Sequence, residues 1–575
     1  MRLACASAGG KPTDVAFNLE SVLNSVARAR QSGAQLLVLP QLCLTGIGCG
    51  DLFKSDTLLQ AAAAAAWEVA AAAQGMTCVF GLPVRVEEQV VSVAAVAQDG
   101  MLIALVPDPA YGMTSGLVHL PGLTLPLFQD ALQIDGLTLA VRFPQQAGEL
   151  PEADIIAVPG GEPFHAGAGE ERVHQLAGHM GLVLYANASV RESTTDYVYD
   201  GQMFMLRDGW ILGQVQPFSE DTLLVCDSDG TTQKPQLLPE RDARYPYAPV
   251  PCPARDMWCR EVLHAAAQGL ATRMANIGVK SLMLGVSGGL DSAHALLVSL
   301  RALDILGLPK DNLHAVSLPA FGSTQRTQNN AVRLMEGLGL VPRVIPIGDS
   351  VARHLADIGH DGTTPDAAYE NAQARERTQV LMDLANMVNG LMVGPGDMSE
   401  LALGFTTYGG DHMSMYAVNS GLYKSVIRMS VEAWARAHPG TQAVQVLLDI
   451  LDTPVSPELL PPKDGQMAQK TEDIVGPYEL NDFFLHHFLR DFATPQQLMA
   501  RAGQAFAGQY TKPVIAGWMK KFFRRFFVSQ FKRSCMPDGP QVLGVSLSPR
   551  GGLSMPSDAA SRLWLDACND IIKTI

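Results

Sequence analysis

The chain has 575 residues, 47% of them apolar, and a formal charge of −15. It is too long for one core, so roughly two to four domains are expected. The negative balance argues against a nucleic-acid coat or a membrane-surface binder, and no charge-free apolar run reaches the roughly 18 residues of a membrane span. The start, Met1-Arg2-Leu3-Ala4-Cys5, lacks the basic and apolar regions of a signal peptide, so a cytoplasmic location is expected. Nine cysteines are scattered without CxxC pairs, which fits reduced packing residues better than a zinc site or a disulfide framework.

The first 235 or so residues alternate strand and helix signals. Leu3 to Ala8 reads as a short strand, Val15 to Ser32 as an amphipathic helix and Leu36 to Pro40 as a buried strand ending at a turn. An alanine-dense helix over Ala61 to Ala73 follows, then strands over Thr77 to Gly81 and Val91 to Ala97 and a turn at Asp99-Gly100. This alternation predicts an α/β layered sandwich, and alanine, the best helix former, suits tight helix packing. Leu237 to Asp256 has linker composition, with Pro239, Pro246, Pro249, Pro251 and Pro253. Met257 to Ile277 then reads as a long helix.

An apolar run, Leu284-Gly285-Val286, next breaks into Ser287-Gly288-Gly289-Leu290-Asp291-Ser292 and enters a helix. Two glycines allow close backbone approach to a polyanion, the helix N-terminus aims N–H groups at it, and Ser287 and Ser292 add hydroxyls. Asp291 suits this only with Mg²⁺ between carboxylate and phosphate. Neither a Walker loop nor a dinucleotide fingerprint matches; taken alone, a ligand-free Gly-rich turn would read the same way. Strands at Leu313 to Leu318 and Val341 to Ile347 and a helix at Gln328 to Gly337 predict a doubly wound parallel sheet with ligands at its C-terminal strand ends.

Further polar stretches follow. Tyr369 to Thr378 predicts a helix in which Asn371 and Arg375 share a face and Arg377 projects elsewhere. Val393 to Glu400 repeats the strand, glycine turn and carboxylate pattern, leaving Glu400 as a second Mg²⁺ ligand or a ribose contact. Leu403 to Ser414 offers rings and small residues for a flat heterocycle, and Lys424 follows. Ser456 to Lys463 and Gln469 to Asp473 predict a mobile lid. Near the chain end, Arg524, Arg525, Lys532, Arg533 and Arg550 interleave with Phe522, Phe523, Phe526, Phe527 and Phe531, predicting a helix packed on one side and cationic on the other.

Two resemblances rest on these residues. Leu39-Pro40-Gln41-Leu42-Cys43-Leu44-Thr45-Gly46, Pro109-Ala110-Tyr111-Gly112, Pro163-Phe164-His165-Ala166-Gly167 and Tyr185 to Asp196 resemble landmarks of nitrilase-type glutamine amidohydrolase domains. That family uses a Glu-Lys-Cys triad, with glutamate as base, lysine at the oxyanion and a thiolate nucleophile. Here the glutamate is Gln41, the lysine's place falls near Leu105 and the nucleophile's near Pro144. No lysine occurs between Ser55 and Gln233, and no cysteine between Val79 and Val225. Cys43, Cys49 and Cys78 lie on other elements, and His165 and His174 lack partners recognisable from sequence. The domain is expected to be catalytically inactive.

The Ser-Gly-Gly-x-Asp-Ser loop resembles that of the ATP pyrophosphatases. Together with the Glu370 to Thr378 helix, Gly394 to Gly404, Ser456 to Pro462, Gln469 to Asp473 and Phe531 to Ser534, it resembles the glutamine-dependent NAD⁺ synthetase family. The resemblance implies residues 1–236 as a nitrilase-like domain, 237–256 as linker and 257–575 as a synthetase domain of adenine nucleotide alpha hydrolase type. It implies ATP-dependent amidation of deamido-NAD⁺ through an adenylate, with ammonia either free or from a separate glutaminase partner. It further implies Mg²⁺ on Asp291 and Glu400, ATP on Gly285, Ser287, Gly288, Gly289, Asp291, Ser292 and Pro395, and catalytic roles for Asp291, Lys424 and Lys532. Deamido-NAD⁺ would meet Asn371, Arg375, Glu400, Leu403, Gly404, Phe405, Tyr408, Asp411 and Lys532, with Arg375 and Lys424 facing phosphates. Pro395 stands where the family has threonine and Phe405 where it has tryptophan. A homo-oligomer with a dimeric synthetase core is implied, with no nucleic-acid or membrane partner. Two alternatives stay open: a ligase of the same fold for another carboxylate or amine, and a non-catalytic nucleotide-binding regulator.

Overall fold

The computed structural model describes every residue except 147, 149, 455–458 and 461–470. The chain divides into two compact units, Met1–Leu238 and Pro239–Ile575. Among the described residues no helix is long and apolar enough to cross a membrane.

The first unit is a four-layer α-β-β-α sandwich. One six-stranded sheet runs in the order Leu223–Asp227, Arg2–Ala6, Leu36–Val38, Thr77–Val86, Gln89–Gln98, Met101–Pro107. The other runs Trp210–Val215, Met203–Arg207, Leu182–Ala186, Ile155–Pro159, Leu137–Val141, Leu132–Ile134. The period-2 alternation of a strand decides which layer each side chain enters. Leu3, Cys5, Val38 and Val79 meet Leu139, Ile155, Ala157 and Leu184 between the sheets, while Ala4, Ala6, Leu37 and Phe80 face the helices Val15–Gln31 and Asp56–Ala72. Ile156, Val158 and Val183 pack outward with Val173 and Leu176 of the helix Ala168–Leu176. Central strands buried on both faces need unbroken apolar runs, which Ile155–Pro159 and Leu182–Ala186 supply.

The second unit carries a five-stranded parallel sheet in the order Arg343–Val344, Leu313–Ser317, Leu282–Gly285, Leu391–Gly394, Tyr416–Ala417. The chain winds one way from Leu282–Gly285 and then the other, so the switch point lies between that strand and Leu391–Gly394. The edge strand is shorter than Val341 to Ile347 because Pro342 and Pro346 cannot donate to a ladder. The Pro-rich stretch after 238 is not loose: it belongs to the second unit, where Tyr247 is buried and lies 4.4 Å from the Tyr423 ring, centroid to centroid.

Candidate active site

The Ser-Gly-Gly loop ends the strand Leu282–Gly285 and feeds the helix Leu290–Ile305. Gly288 has φ +85°, and a Cβ there would stand 2.1 Å from the Thr327 carbonyl oxygen, so only glycine fits. Ser287 Oγ accepts from the Gly289 N–H at 3.2 Å, and Ser292 Oγ donates to the Gly289 carbonyl at 3.0 Å. The loop is thus shaped by its own hydroxyls, and it forms one wall of a cavity of about 490 Å³ at the switch point. Gly285, Ser287, Gly288, Gly289, Asp291, Ser292 and Pro395 all line that cavity.

The second glycine turn supplies the charge. Asp397 caps the helix Met398–Leu403, its side chain accepting from the Glu400 N–H at 2.8 Å. Lys424, the first residue of the helix Lys424–Ala437, sends Nζ among three carboxylates: Asp291 Oδ2 at 2.6 Å, Glu400 Oε1 at 2.8 Å and Asp397 Oδ2 at 2.6 Å. Burial alone would lower the lysine's pKa, but these carboxylates outweigh it and hold the ammonium well above its ordinary value. Burial pushes Glu400 up to about 7 and Asp397 upward as well, although Lys424 pulls both down.

Three carboxylates against one ammonium leave a deficit of positive charge in a largely buried place. Ligand oxygens of Asp291, Asp397 and Glu400 lie within 4.8 Å of one another, and Asp291 Oδ1 is buried without a hydrogen-bond partner among the described residues. A hard divalent cation on oxygen donors fits that deficit and that orphaned atom.

The opposite wall is built for a larger ligand. The helix Ala367–Met387 presents Glu370, Asn371, Ala374, Arg377, Thr378 and Leu381, an i, i+3/i+4, i+7 stripe. Arg377 therefore fronts the cavity, contrary to the sequence expectation. Arg375 sits at the stripe's edge and donates instead to the Tyr408 carbonyl at 3.1–3.2 Å. Asn371 Oδ1 accepts from Thr407 Oγ1 at 2.9 Å, and Asp411 Oδ1 accepts from the Thr407 N–H at 2.5 Å. Phe405 lines the cavity with the Arg525 guanidinium 5.8 Å from its ring centre. Lys532 Nζ donates to the Gly404 and Thr406 carbonyls at 2.8 and 2.5 Å, and burial lowers its pKa.

Leu403 is buried behind this wall. Tyr408 is 48% exposed and off it, with ring centroids 5.3 Å from His412 and 5.5 Å from Phe531. The cationic helix is Lys512–Val528, with Phe522, Phe523, Phe526 and Phe527 buried, whereas Phe531 is 46% exposed. Most of the expected lid lies outside the described residues; of its described residues Leu459 and Thr471 line the cavity, as does Pro454 just before it.

The first unit holds a different arrangement at the position of the expected base. Gly81 lacks the Cβ that would stand 2.1 Å from Leu42 N, so the Gln41-Leu42 backbone lies directly on the strand Thr77–Val86. Gln41 is buried, and its Nε2 donates to Asp108 Oδ2 at 2.7 Å and Ser92 Oγ at 2.9 Å. The side chain that meets Gln41 is thus Asp108. Leu105 points into the apolar core from the strand Met101–Pro107. Pro144 is buried in the short turn Pro144–Gln146 and has no reactive atom. Burial pushes the Cys43 thiol to about 12 and the Cys49 thiol to about 11, and raises Cys78, so none is poised as a thiolate. His165 pairs with Glu171 at 2.9 Å and His174 with the Gln236 carbonyl at 2.6 Å.

Sequence reasoning missed several residues. Asp397 carried a signal, since Asp-x-x-Glu before an apolar run is a helix-start pattern. Asn419 carried none: its Nδ2 donates to the Asp291 carbonyl at 3.1 Å and the Pro395 carbonyl at 2.9 Å, tying the two glycine turns together, while His294 holds its Oδ1 at 2.8 Å.

A doubly wound sheet with a Ser-Gly-Gly loop and a lysine-carboxylate cluster at its switch point, joined to a nitrilase-like sandwich, defines a ligase class built from an ATP pyrophosphatase fold and an amidohydrolase fold. The NAD synthase family model matches residues 262–502 and the carbon-nitrogen hydrolase model residues 2–105. A glutamine-dependent NAD(+) synthetase of Mycobacterium tuberculosis is 31% identical, over 96% of this chain and 95% of that one. Its counterpart in Mycobacterium leprae is 30% identical, over 98% and 97%. The crystal structure of a glutamine-dependent NAD(+) synthetase from Cytophaga hutchinsonii shares the fold, with a TM-score of 0.77 at 18% identity and 99% of each chain covered. The chain belongs to the glutamine-dependent NAD(+) synthetase family, and it is a ligase of NAD⁺ synthesis.

Proposed function

We propose that this chain amidates deamido-NAD⁺ with ammonia that is free or delivered by a separate protein, and not with ammonia from its own first unit. The supporting observation is the direction of one hydrogen bond. At Gln41 the position of the expected base donates a proton to Asp108 and cannot take one from a nucleophile.

In the second unit the reaction has two displacements. A carboxylate oxygen of deamido-NAD⁺ attacks the α-phosphorus of ATP and pyrophosphate leaves; ammonia then attacks the acyl carbon and AMP leaves, with a proton passing to solvent. Ser287, Ser292 and the N–H groups of the glycine loop orient the triphosphate. Lys424 and Lys532 offset charge that grows as the pyrophosphate departs. Asp291 and Glu400 would hold Mg²⁺, which when bound supplies charge neutralisation at the phosphates. Asn371, Gly404, Phe405 and Asp411 hold the dinucleotide, with the Phe405 ring as a stacking surface.

The test supplies purified protein with ATP, Mg²⁺ and deamido-NAD⁺. Ammonium should drive NAD⁺ formation, and glutamine should give none above background. Glutamine-driven turnover in a pure sample would overturn the proposal.

A further inference from the structure

Behind the lysine-carboxylate cluster lies a second polar assembly that does not touch the cavity. Asp482, on the helix Tyr478–Asp491, is fully buried. Its Oδ1 accepts from Ser399 Oγ at 2.5 Å, and its Oδ2 accepts from the Ser425 N–H at 3.0 Å and Ser425 Oγ at 2.6 Å. Ser399 Oγ in turn accepts from the Lys424 N–H at 2.9 Å. Ser425 has one hydroxyl proton and gives it to Asp482, so at 2.6 Å it accepts from the Tyr247 hydroxyl. Tyr247 is wedged between Tyr423 and His486, with ring centroids at 4.4 and 5.3 Å.

Three separate elements are thereby joined through one carboxylate. Ser399 stands beside Glu400 in the first turn of Met398–Leu403, and Ser425 stands beside Lys424 in the first turn of Lys424–Ala437. Backbone pairing ties the two segments where the Met398 N–H donates to the Leu422 carbonyl at 2.9 Å, just outside the second turn, and the lysine and Glu400 must keep their 2.8 Å separation. A buried, fully satisfied network has that fixing effect, because any displaced member leaves a desolvated polar atom unpaired.

We infer that Asp482 and Tyr247 are positioning residues of the synthetase site, holding the first turns that carry Lys424 and Glu400 in register. The inference rests on reading Lys424 as the lysine that faces the triphosphate, and it adds a route by which the stretch just after the first unit acts on that lysine. Neither residue touches substrate. Their loss acts on ATP and leaves the dinucleotide wall, which Asn371 and Lys532 organise, unchanged.

The test measures ATP affinity calorimetrically on the full chain for wild type, Lys424→Met, Asp482→Asn and Tyr247→Phe, with thermal melting in parallel. Asparagine keeps the shape but offers one acceptor oxygen where three donors converge, and phenylalanine keeps the stacked ring while removing one donor. Asp482→Asn should weaken ATP binding about tenfold and Tyr247→Phe about threefold, with the KM for deamido-NAD⁺ within twofold of wild type. If Asp482→Asn does not fold, Tyr247→Phe decides alone. Unchanged ATP affinity in the folded variants, or equal losses for ATP and deamido-NAD⁺, would overturn the inference. Lys424→Met with unchanged ATP affinity would instead remove the reading of Lys424 on which it stands. Calorimetry needs no turnover, so an enzyme inactive on deamido-NAD⁺ still reports.

Discussion

At Gln41 and at Lys424 the chain buries the same ingredients, a carboxylate and a nitrogen donor, with opposite results. Asp108 and the Gln41 amide satisfy each other and leave nothing to react. Lys424 faces three carboxylates, more than one ammonium can answer, and two of them, Asp291 and Glu400, line a cavity of about 490 Å³. A neutral amide on one carboxylate closes its local balance; an ammonium among three carboxylates does not, and the shortfall is what a cation or a polyphosphate complex can answer. The lesson is that satisfaction of buried charge marks a structural site and its incompleteness marks a working one.

Substitutions can break this contrast. Asp291→Ala should reduce ammonium-driven NAD⁺ formation about 10²–10³-fold, whereas Asp108→Asn should leave it unchanged; a comparable loss from Asp108→Asn would erase the distinction. Lys424→Met leaves the buried Asp397 and the half-buried Asp291 and Glu400 without their ammonium and should cost the second unit about 3–5 kcal/mol, read by denaturant unfolding.

The first unit should answer to pH through Glu192. Burial pushes its carboxyl from 4.5 to about 8, although the Ile47 and Gly10 N–H groups pull it down. The fold therefore keeps a proton that the unfolded chain releases above pH 4.5. The resulting stabilisation is complete below 4.5 and lost as pH rises through about 8. Over that window the first unit should lose several kcal/mol of stability, and Glu192→Gln should flatten the dependence of its melting temperature. Smallest is Gln41→Ala, which leaves the buried Asp108 carboxylate without its amide donor. It should destabilise the first unit by about 1–3 kcal/mol while ammonium-driven turnover stays at the wild-type rate.

Much of this was legible in the sequence, for reasons that differ by element. Apolar runs and glycine turns report local conformation, so the sandwich, the parallel sheet and the loop at Ser287 could be read directly. Asp291 and Glu400 could be read because they lie within a turn of a glycine break that announces the strand end, whereas Lys424 came only from the family resemblance. Arg375 and Arg377 could not be separated, because spacing gives a helix face but not how far a long side chain reaches across it. That Gln41 meets Asp108 could not be read, because a strand pattern fixes the period of side chains and not the residue that meets a partner loop. Asn419 and Asp482 stayed hidden since each acts across more than 50 residues of chain, on Asp291 and on Ser425; tertiary contacts of that kind leave no local pattern.

The tyrosine wedge changes where this protein can be divided. By composition the natural cut lies at Asp256, just before the long helix that leads to the loop. By structure, a second half beginning there would lack Tyr247, so the Ser425 hydroxyl and two aromatic rings would lose their cover. Any recombination that exchanged the first half for another module would have to leave the 239–252 strap with the synthetase half to keep its lysine in register.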